Sequence, residues 1–145
     1  MEDARCYYII MELITGGNLF DMVRQEKKFT EAKAANVIKQ LMLALNYMHG
    51  LNIMHRDLKP ENIMCEKTEN GEVIIKLTDF GFATYYNPDQ PHTLSLGSPL
   101  YMAPELCNEA EYDNKVDVWA TGVITYVLLS GTAPFTGQTK EKIYG

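Results

Sequence analysis

The chain has 145 residues, 46% of them hydrophobic and 22% charged, proportions that suit one packed domain. Its formal net charge of −6 argues against a nucleic-acid partner, which favours a basic face, and suits a basic partner instead. Three cysteines, Cys6, Cys65 and Cys107, stand apart without paired spacing and read as reduced thiols of a cytoplasmic or nuclear protein. Acids at Glu2 and Asp3 before a short apolar run give neither a signal peptide nor a membrane span.

In chain order, residues 7–13 are aromatic and β-branched and read as a strand, broken by Thr15-Gly16-Gly17. Residues 18–26 form a short helix with Asn18 as N-cap. A long helix spans 30–49: Thr30 caps it, Glu31 suits its positive end and Gly50 ends it. Ala34, Val37, Ile38, Leu41, Leu45 and Met48 recur at helical spacing and should face the core. Residues 63–65 and 73–78 read as paired strands with Asn70-Gly71 in the turn. Residues 85–96 lack periodicity and carry Asn87-Pro88-Asp89 and Pro91-His92, so they form a loop. Residues 113–130 form a helix apolar on every side save Asp117, expected to be buried all round and ended by Gly131. A further helix begins at 138.

The chemistry gathers in the polar loop 55–62, His-Arg-Asp-Leu-Lys-Pro-Glu-Asn, held between apolar segments. Asp57 can accept a proton, Lys59 can sit against an anion, and Asn62 can offer an amide oxygen to a hard metal ion. Asp79-Phe80-Gly81 adds a second carboxylate, and Ala103-Pro104-Glu105 follows. Singly, each is an ordinary solvated loop residue; in this order and spacing they are highly specific. Asp117 stands apart, because a carboxylate in an apolar helix costs several kcal/mol unless it is hydrogen-bonded, either as a helix cap or to another segment.

With these motifs the chain, from about residue 7 to 144, resembles the eukaryotic protein kinase catalytic domain. The resemblance implies the family's α+β fold. These residues then supply its mainly helical large lobe with short β-hairpins, and lack most of the N-terminal β lobe. Residues 1–145 would be one partial kinase domain. Glu12, Leu13 and Ile14 would be the hinge that bonds adenine, with Met11 beside that pocket and Leu19 and Met64 as its floor. Asp57 would orient the acceptor hydroxyl and take its proton, Lys59 would neutralise the transferred phosphoryl group, and Asn62 and Asp79 would hold Mg²⁺. The cofactors implied are ATP and Mg²⁺. His55 and Phe80 would stack in an apolar column, Asp117 would accept the backbone N–H groups at His55-Arg56, and Glu105 would pair with an arginine of a later helix.

The Lys59 and Ser98 positions are similar to the serine/threonine form of the family, so the implied partner is a protein Ser/Thr substrate, with no nucleic acid and no membrane. Ser98 would bridge Asp57 and Lys59. The subgroup it most resembles is the calcium/calmodulin-dependent and calcium-dependent kinases, through Gly16-Gly17-Asn18-Leu19-Phe20, Asp79-Phe80-Gly81-Phe82-Ala83 and Ser130-Gly131 with Pro134-Phe135. That resemblance implies calcium or calmodulin control of the family's kind, which no EF-hand loop or basic amphipathic helix in this chain shows. Arg56 would grip a phosphate on Thr93 or Ser95, or the enzyme would be active unmodified. Phe82 would favour serine over threonine acceptors. Glu61 would read an upstream arginine weakly, since Asn18 stands where stronger readers carry glutamate. The family's glycine-rich loop, strand lysine and partner glutamate are not among these 145 residues. Little activity is therefore expected of them alone, and a non-catalytic binding or decoy module is the alternative.

Overall fold

The computed structural model describes residues 6–87, 89–137 and 143. Helix α1 (Leu19–Glu26) opens where the Asn18 side-chain oxygen accepts the Asp21 N–H at 2.8 Å. That bond satisfies one of the donors a helix start leaves open. Helix α2 (Glu31–Gly50) opens the same way on Thr30. Its expected apolar stripe is buried at Ala34, Val37, Leu41, Leu45 and Met48, with Ile38 half-buried beside them. Gly50 is the helix's last residue rather than its left-handed stop, a role that falls to Asn52 at φ 57°.

Helix α4 (Lys115–Ser130) lies against α2 and against a 3₁₀ turn at Pro99–Tyr101. Gly131 ends it at φ 78°, and its N–H reaches the Val127 carbonyl at 2.8 Å. A Cβ there would lie 2.2 Å from the Lys27 carbonyl oxygen, so only glycine fits. Complete burial of α4 was the wrong expectation. Val116, Ala120, Ile124 and Leu128 are buried, whereas Val118, Trp119, Tyr126 and Leu129 are between 37% and 49% exposed. An all-apolar composition gives no direction to the buried face; the neighbours packed on it decide.

Strands β2 (Ile63–Lys67) and β3 (Val73–Leu77) pair antiparallel from Ile63↔Leu77 to Lys67↔Val73. Their turn closes through Thr68 and Gly71. Gln40 of α2 clasps the free edge of β3, donating to the Val73 carbonyl at 2.8 Å and accepting from the Ile75 N–H at 3.1 Å. This satisfies edge groups that would otherwise be open. Strands β1 (Ile53–Met54) and β4 (Thr84–Tyr85) form a second pair, so the loop expected over 85–96 starts one residue later than its first position. Short helix α3 (Pro104–Cys107) follows the Pro99–Tyr101 turn. The main core joins α1, α2, β2, β3 and α4; a smaller one joins Met54, Met102, Ala103, Leu106, Tyr112 and Val116.

The strand expected over 7–13 is not formed. Tyr7 carries an isolated bridge, and Tyr7, Ile9, Ile10, Met11 and Leu13 stand largely in solvent. β-propensity stabilises a strand only where a neighbour completes the ladder, and no strand among the described residues runs along this one. The helix expected from 138 lies outside the described residues, apart from Ile143, which is helical. No helix among the described residues is long and apolar enough to cross a membrane.

Candidate active site

The loop 55–62 leaves β1 and is fixed from below by α4. Asp117, 1% exposed, accepts the His55 N–H on Oδ2 and the Arg56 N–H on Oδ1, both at 2.9 Å. His49 Nε2–H, from the last turn of α2, donates to the same Oδ2 at 2.9 Å. Three donors satisfy a carboxylate that would otherwise be costly to bury. The clamp holds Arg56 at φ 69°, in the left-handed region. Asp79 sits at φ 59°. Non-glycine residues held this way persist where the surroundings over-determine them, often at functional sites.

His55 is wholly buried. Its Nε2–H donates to the Thr78 carbonyl at 3.2 Å, and its Nδ1 accepts the Asp57 N–H at 3.3 Å. Both ring nitrogens are used internally, so His55 is an orienting residue and not a general base. Phe80 packs on its ring at 5.2 Å between centroids.

Asp57, 5% exposed, is the centre of a closed polar ring. Lys59 Nζ donates to Asp57 Oδ2 and to Ser98 Oγ, and Ser98 Oγ–H donates to Asp57 Oδ1, each at 2.8 Å. Asn62 Nδ2 donates to the Asp57 carbonyl at 2.9 Å and to Oδ2 at 3.2 Å. Oδ2 thus takes two donors and Oδ1 takes one, which leaves room at Oδ1 for one incoming hydroxyl. Gly97, at φ 118°, lets the Ser98 segment approach; a Cβ there would lie 2.8 Å from the Arg56 carbonyl oxygen.

With its amide nitrogen turned towards Asp57, Asn62 keeps its amide oxygen clear of any donor among the described residues. The exposed Asp79 uses one carboxylate oxygen to accept the Gly81 N–H at 3.3 Å. The Thr78 N–H donates to the Asn62 carbonyl at 3.0 Å and ties the two motifs together. The donors offered are all oxygen and too few for a full shell. That suits Mg²⁺, which keeps several waters and phosphate oxygens and takes one or two protein ligands. Among the described residues no group of three or more His, Cys, Asp and Glu forms a metal cage of its own.

Of the residues expected around adenine, Asn18 and Met64 share a bridge and Leu19 is buried beside them. The Gly17 carbonyl accepts the Cys65 N–H at 2.8 Å, so half-buried Met64 lies against the turn that follows residues 12–14. Met11, Glu12 and Leu13 are exposed and Ile14 half-buried. Glu12 pairs with Lys76 on the surface.

Arg56 Nε donates to the Phe82 carbonyl at 2.7 Å and Nη1 to the Tyr112 hydroxyl at 3.0 Å. Thr93 is exposed and Ser95 half-buried, and between them the Leu94 carbonyl accepts from Tyr112. Exposed Glu61 lies close enough to Tyr101 to add to the effect of burial, which pushes that phenol up to about 12. The Asn18 side chain is spent on capping α1. Glu105 lies in the first turn of α3 and makes no ion pair among the described residues. Sequence reasoning missed His49 and Tyr112. A basic residue in the last turn before the loop was the signal for His49; nothing local marked Tyr112.

The family model "Protein kinase domain" matches residues 1–145. "Myosin light chain kinase A" of Dictyostelium discoideum is 44% identical over 137 residues, 94% of this chain and 46% of that protein. "Serine/threonine-protein kinase DCLK1" of Rattus norvegicus is 47% identical over 135 residues, 93% of this chain and 31% of that protein. "Calcium-dependent protein kinase 4" of Plasmodium falciparum (isolate 3D7) is 42% identical over 142 residues, 98% of this chain and 27% of that protein. The chain spans less than half the length of each of these curated relatives. With a family model matched along its whole length, and with the loop 55–62, Asp79-Phe80-Gly81 and the anchoring Asp117 in place, the chain belongs to the protein kinase domain family.

Proposed function

We propose that the protein carrying this chain is a serine/threonine kinase that transfers the γ-phosphoryl group of ATP to a hydroxyl on a protein. The observation that carries this reading is the ring of Asp57, Lys59, Ser98 and Asn62, with one acceptor position left on Asp57 Oδ1. An acceptor hydroxyl donating to Oδ1 would be aimed and would lose its proton to that oxygen as its own oxygen bonds to the γ-phosphorus and the bond from that phosphorus to the β–γ bridging oxygen breaks, releasing ADP. Lys59 Nζ, already between the carboxylate and Ser98, supplies positive charge where the transferred group gathers negative charge. The Asn62 amide oxygen and the Asp79 carboxylate would hold Mg²⁺, which when bound neutralises phosphate charge. Leu19 and Met64 offer apolar surface for adenine.

Three finer readings belong to the same proposal. Phe82, 43% exposed beside the metal motif, would crowd the extra methyl of threonine and favour serine. Glu61, exposed near Tyr101, would read a basic residue of the substrate. Phosphorylation of Thr93 or Ser95 would order the segment through Arg56, whose planar fork binds phosphate well. A cytoplasmic or nuclear setting, supplied with ATP, suits this activity.

The test is labelled-ATP transfer by the full-length protein to matched serine and threonine peptides. Turnover of about 1–100 per second, with serine preferred, is expected. Binding of ATP with no transfer to any hydroxyl would favour the non-catalytic module instead.

A further inference from the structure

Tyr112 is 3% exposed in the smaller core, yet its hydroxyl is the meeting point of two distant segments. It accepts from Arg56 Nη1 at 3.0 Å and donates to the Leu94 carbonyl at 3.0 Å. The same residue grips the segment in two more ways. Its N–H donates to the His92 carbonyl at 3.0 Å, and its ring stacks on the His92 ring at 5.9 Å. His92 in turn donates from Nε2 to the Tyr85 carbonyl at 2.9 Å.

A phenol is suited to this place. It fills an apolar site with its ring and offers one acceptor and one donor at its tip, which here meet one cationic donor and one carbonyl. Arg56 cannot swing freely to another partner. Asp117 fixes its backbone, and its Nε is spent on the Phe82 carbonyl. The guanidinium therefore spans the segment, holding Phe82 near its start directly and Leu94 in its middle through Tyr112. Further along, Ser98 is locked onto Asp57 and Lys59. Slack between Phe82 and Ser98 would be felt at the acceptor slot.

We infer that Tyr112 is a positioning residue: its hydroxyl pins the segment around Leu94 to Arg56 and so keeps the acceptor slot in register with Asp57 in the unmodified chain. The pin acts between the two candidate phosphate acceptors, Thr93 and Ser95, and takes one of the Arg56 donors that a phosphate there would compete for. Its consequence for rate rests on the kinase reading; its consequence for order does not.

The experiment compares the full-length protein with Tyr112→Phe, which keeps the ring and removes only the hydroxyl. Loss of these bonds should lower kcat for the peptide about fivefold while KM for ATP stays within about twofold. Amide exchange over residues 92–96 should speed up about five- to tenfold, with α2 and α4 unchanged. In an Arg56→Ala background the Tyr112→Phe change should cost clearly less than it does in the parent, because one of the hydroxyl's two partners is already gone. Unaltered exchange over 92–96, or losses that simply add in the double variant, would overturn the pin. If the unsubstituted protein transfers no phosphate, the kinase reading fails, and the exchange measurement still decides the role of Tyr112.

Discussion

Replacing Asp117 with alanine should damage the protein more than any other single carboxylate change. The side chain is 1% exposed and accepts from the His55 N–H, the Arg56 N–H and His49 Nε2–H, all at 2.9 Å. Alanine leaves the two backbone donors and the imidazole without an acceptor. At about 1–3 kcal/mol for each buried donor left open, partly relieved by water entering the space, the loss should be about 3–5 kcal/mol. For a domain of this size each kcal/mol lowers Tm by about 2–4 °C, so a fall of about 6–20 °C is expected. Asparagine should cost less, about 2 kcal/mol, because it retains one carbonyl oxygen and sets its NH₂ against the remaining donors. Both variants should also lose transfer rate, since Arg56 at φ 69° has no other clamp on its N–H. The assay is thermal denaturation of the full-length protein followed by circular dichroism, with labelled-ATP transfer on the same samples. A Tm for Asp117→Ala within about 2 °C of the parent would refute the claim that this carboxylate holds the loop.

Ser98→Ala should remove the bridge between Lys59 and Asp57 and lower kcat by about tenfold, whereas Ser98→Thr, which keeps the hydroxyl, should hold most of it; equal losses in the two variants would count against the bridge. Burial raises the Cys65 thiol from 9.0 to about 11, with Lys33 opposing, and raises the Tyr101 phenol from 10.0 to about 12, with Glu61 reinforcing. In both cases the unfolded chain ionises first, so stability should be complete below about pH 9 and decline as pH climbs through the folded values near 11 and 12. Urea melts across that range check this, with Cys65→Ala flattening the earlier part of the decline. Thr93→Ala/Ser95→Ala should abolish any gain in rate brought by phosphorylation of the segment while leaving the basal rate, which Tyr112 supports. Phosphate-dependent activation that survives in the double variant would place the switch elsewhere.

Local chemistry was legible in the sequence wherever neighbours along the chain decide it. Asn18 and Thr30 cap the helices expected of them, Asn70-Gly71 turns between β2 and β3, and Gly131 stops α4. The Ser98 bridge between Asp57 and Lys59 and the anchor of the loop at Asp117 followed from the resemblance that the motifs carry. What failed depended on distant partners. Residues 7–13 have strand composition but no ladder beside them among the described residues. α4 is apolar on every side, so its composition could not say which side faces out. Tyr112 precedes the helix expected from 113 and belongs to no motif, and its meaning lies in Arg56 and Leu94, 56 and 18 residues away.

The division of labour between Asp57 and Asp79 is the heart of the account, and one pair of variants in the full-length protein tests it. Mg²⁺-ATP affinity and labelled-ATP transfer are measured side by side for Asp57→Asn and Asp79→Asn. Asp57 is buried within its ring of donors and on the proposed function meets the acceptor, so Asp57→Asn should abolish transfer and leave Mg²⁺-ATP affinity within about threefold of the parent. Asp79 is exposed and is the proposed Mg²⁺ ligand, so Asp79→Asn should weaken Mg²⁺-ATP binding at least about tenfold. Equal loss of nucleotide affinity in the two variants, or transfer surviving in Asp57→Asn, would contradict it.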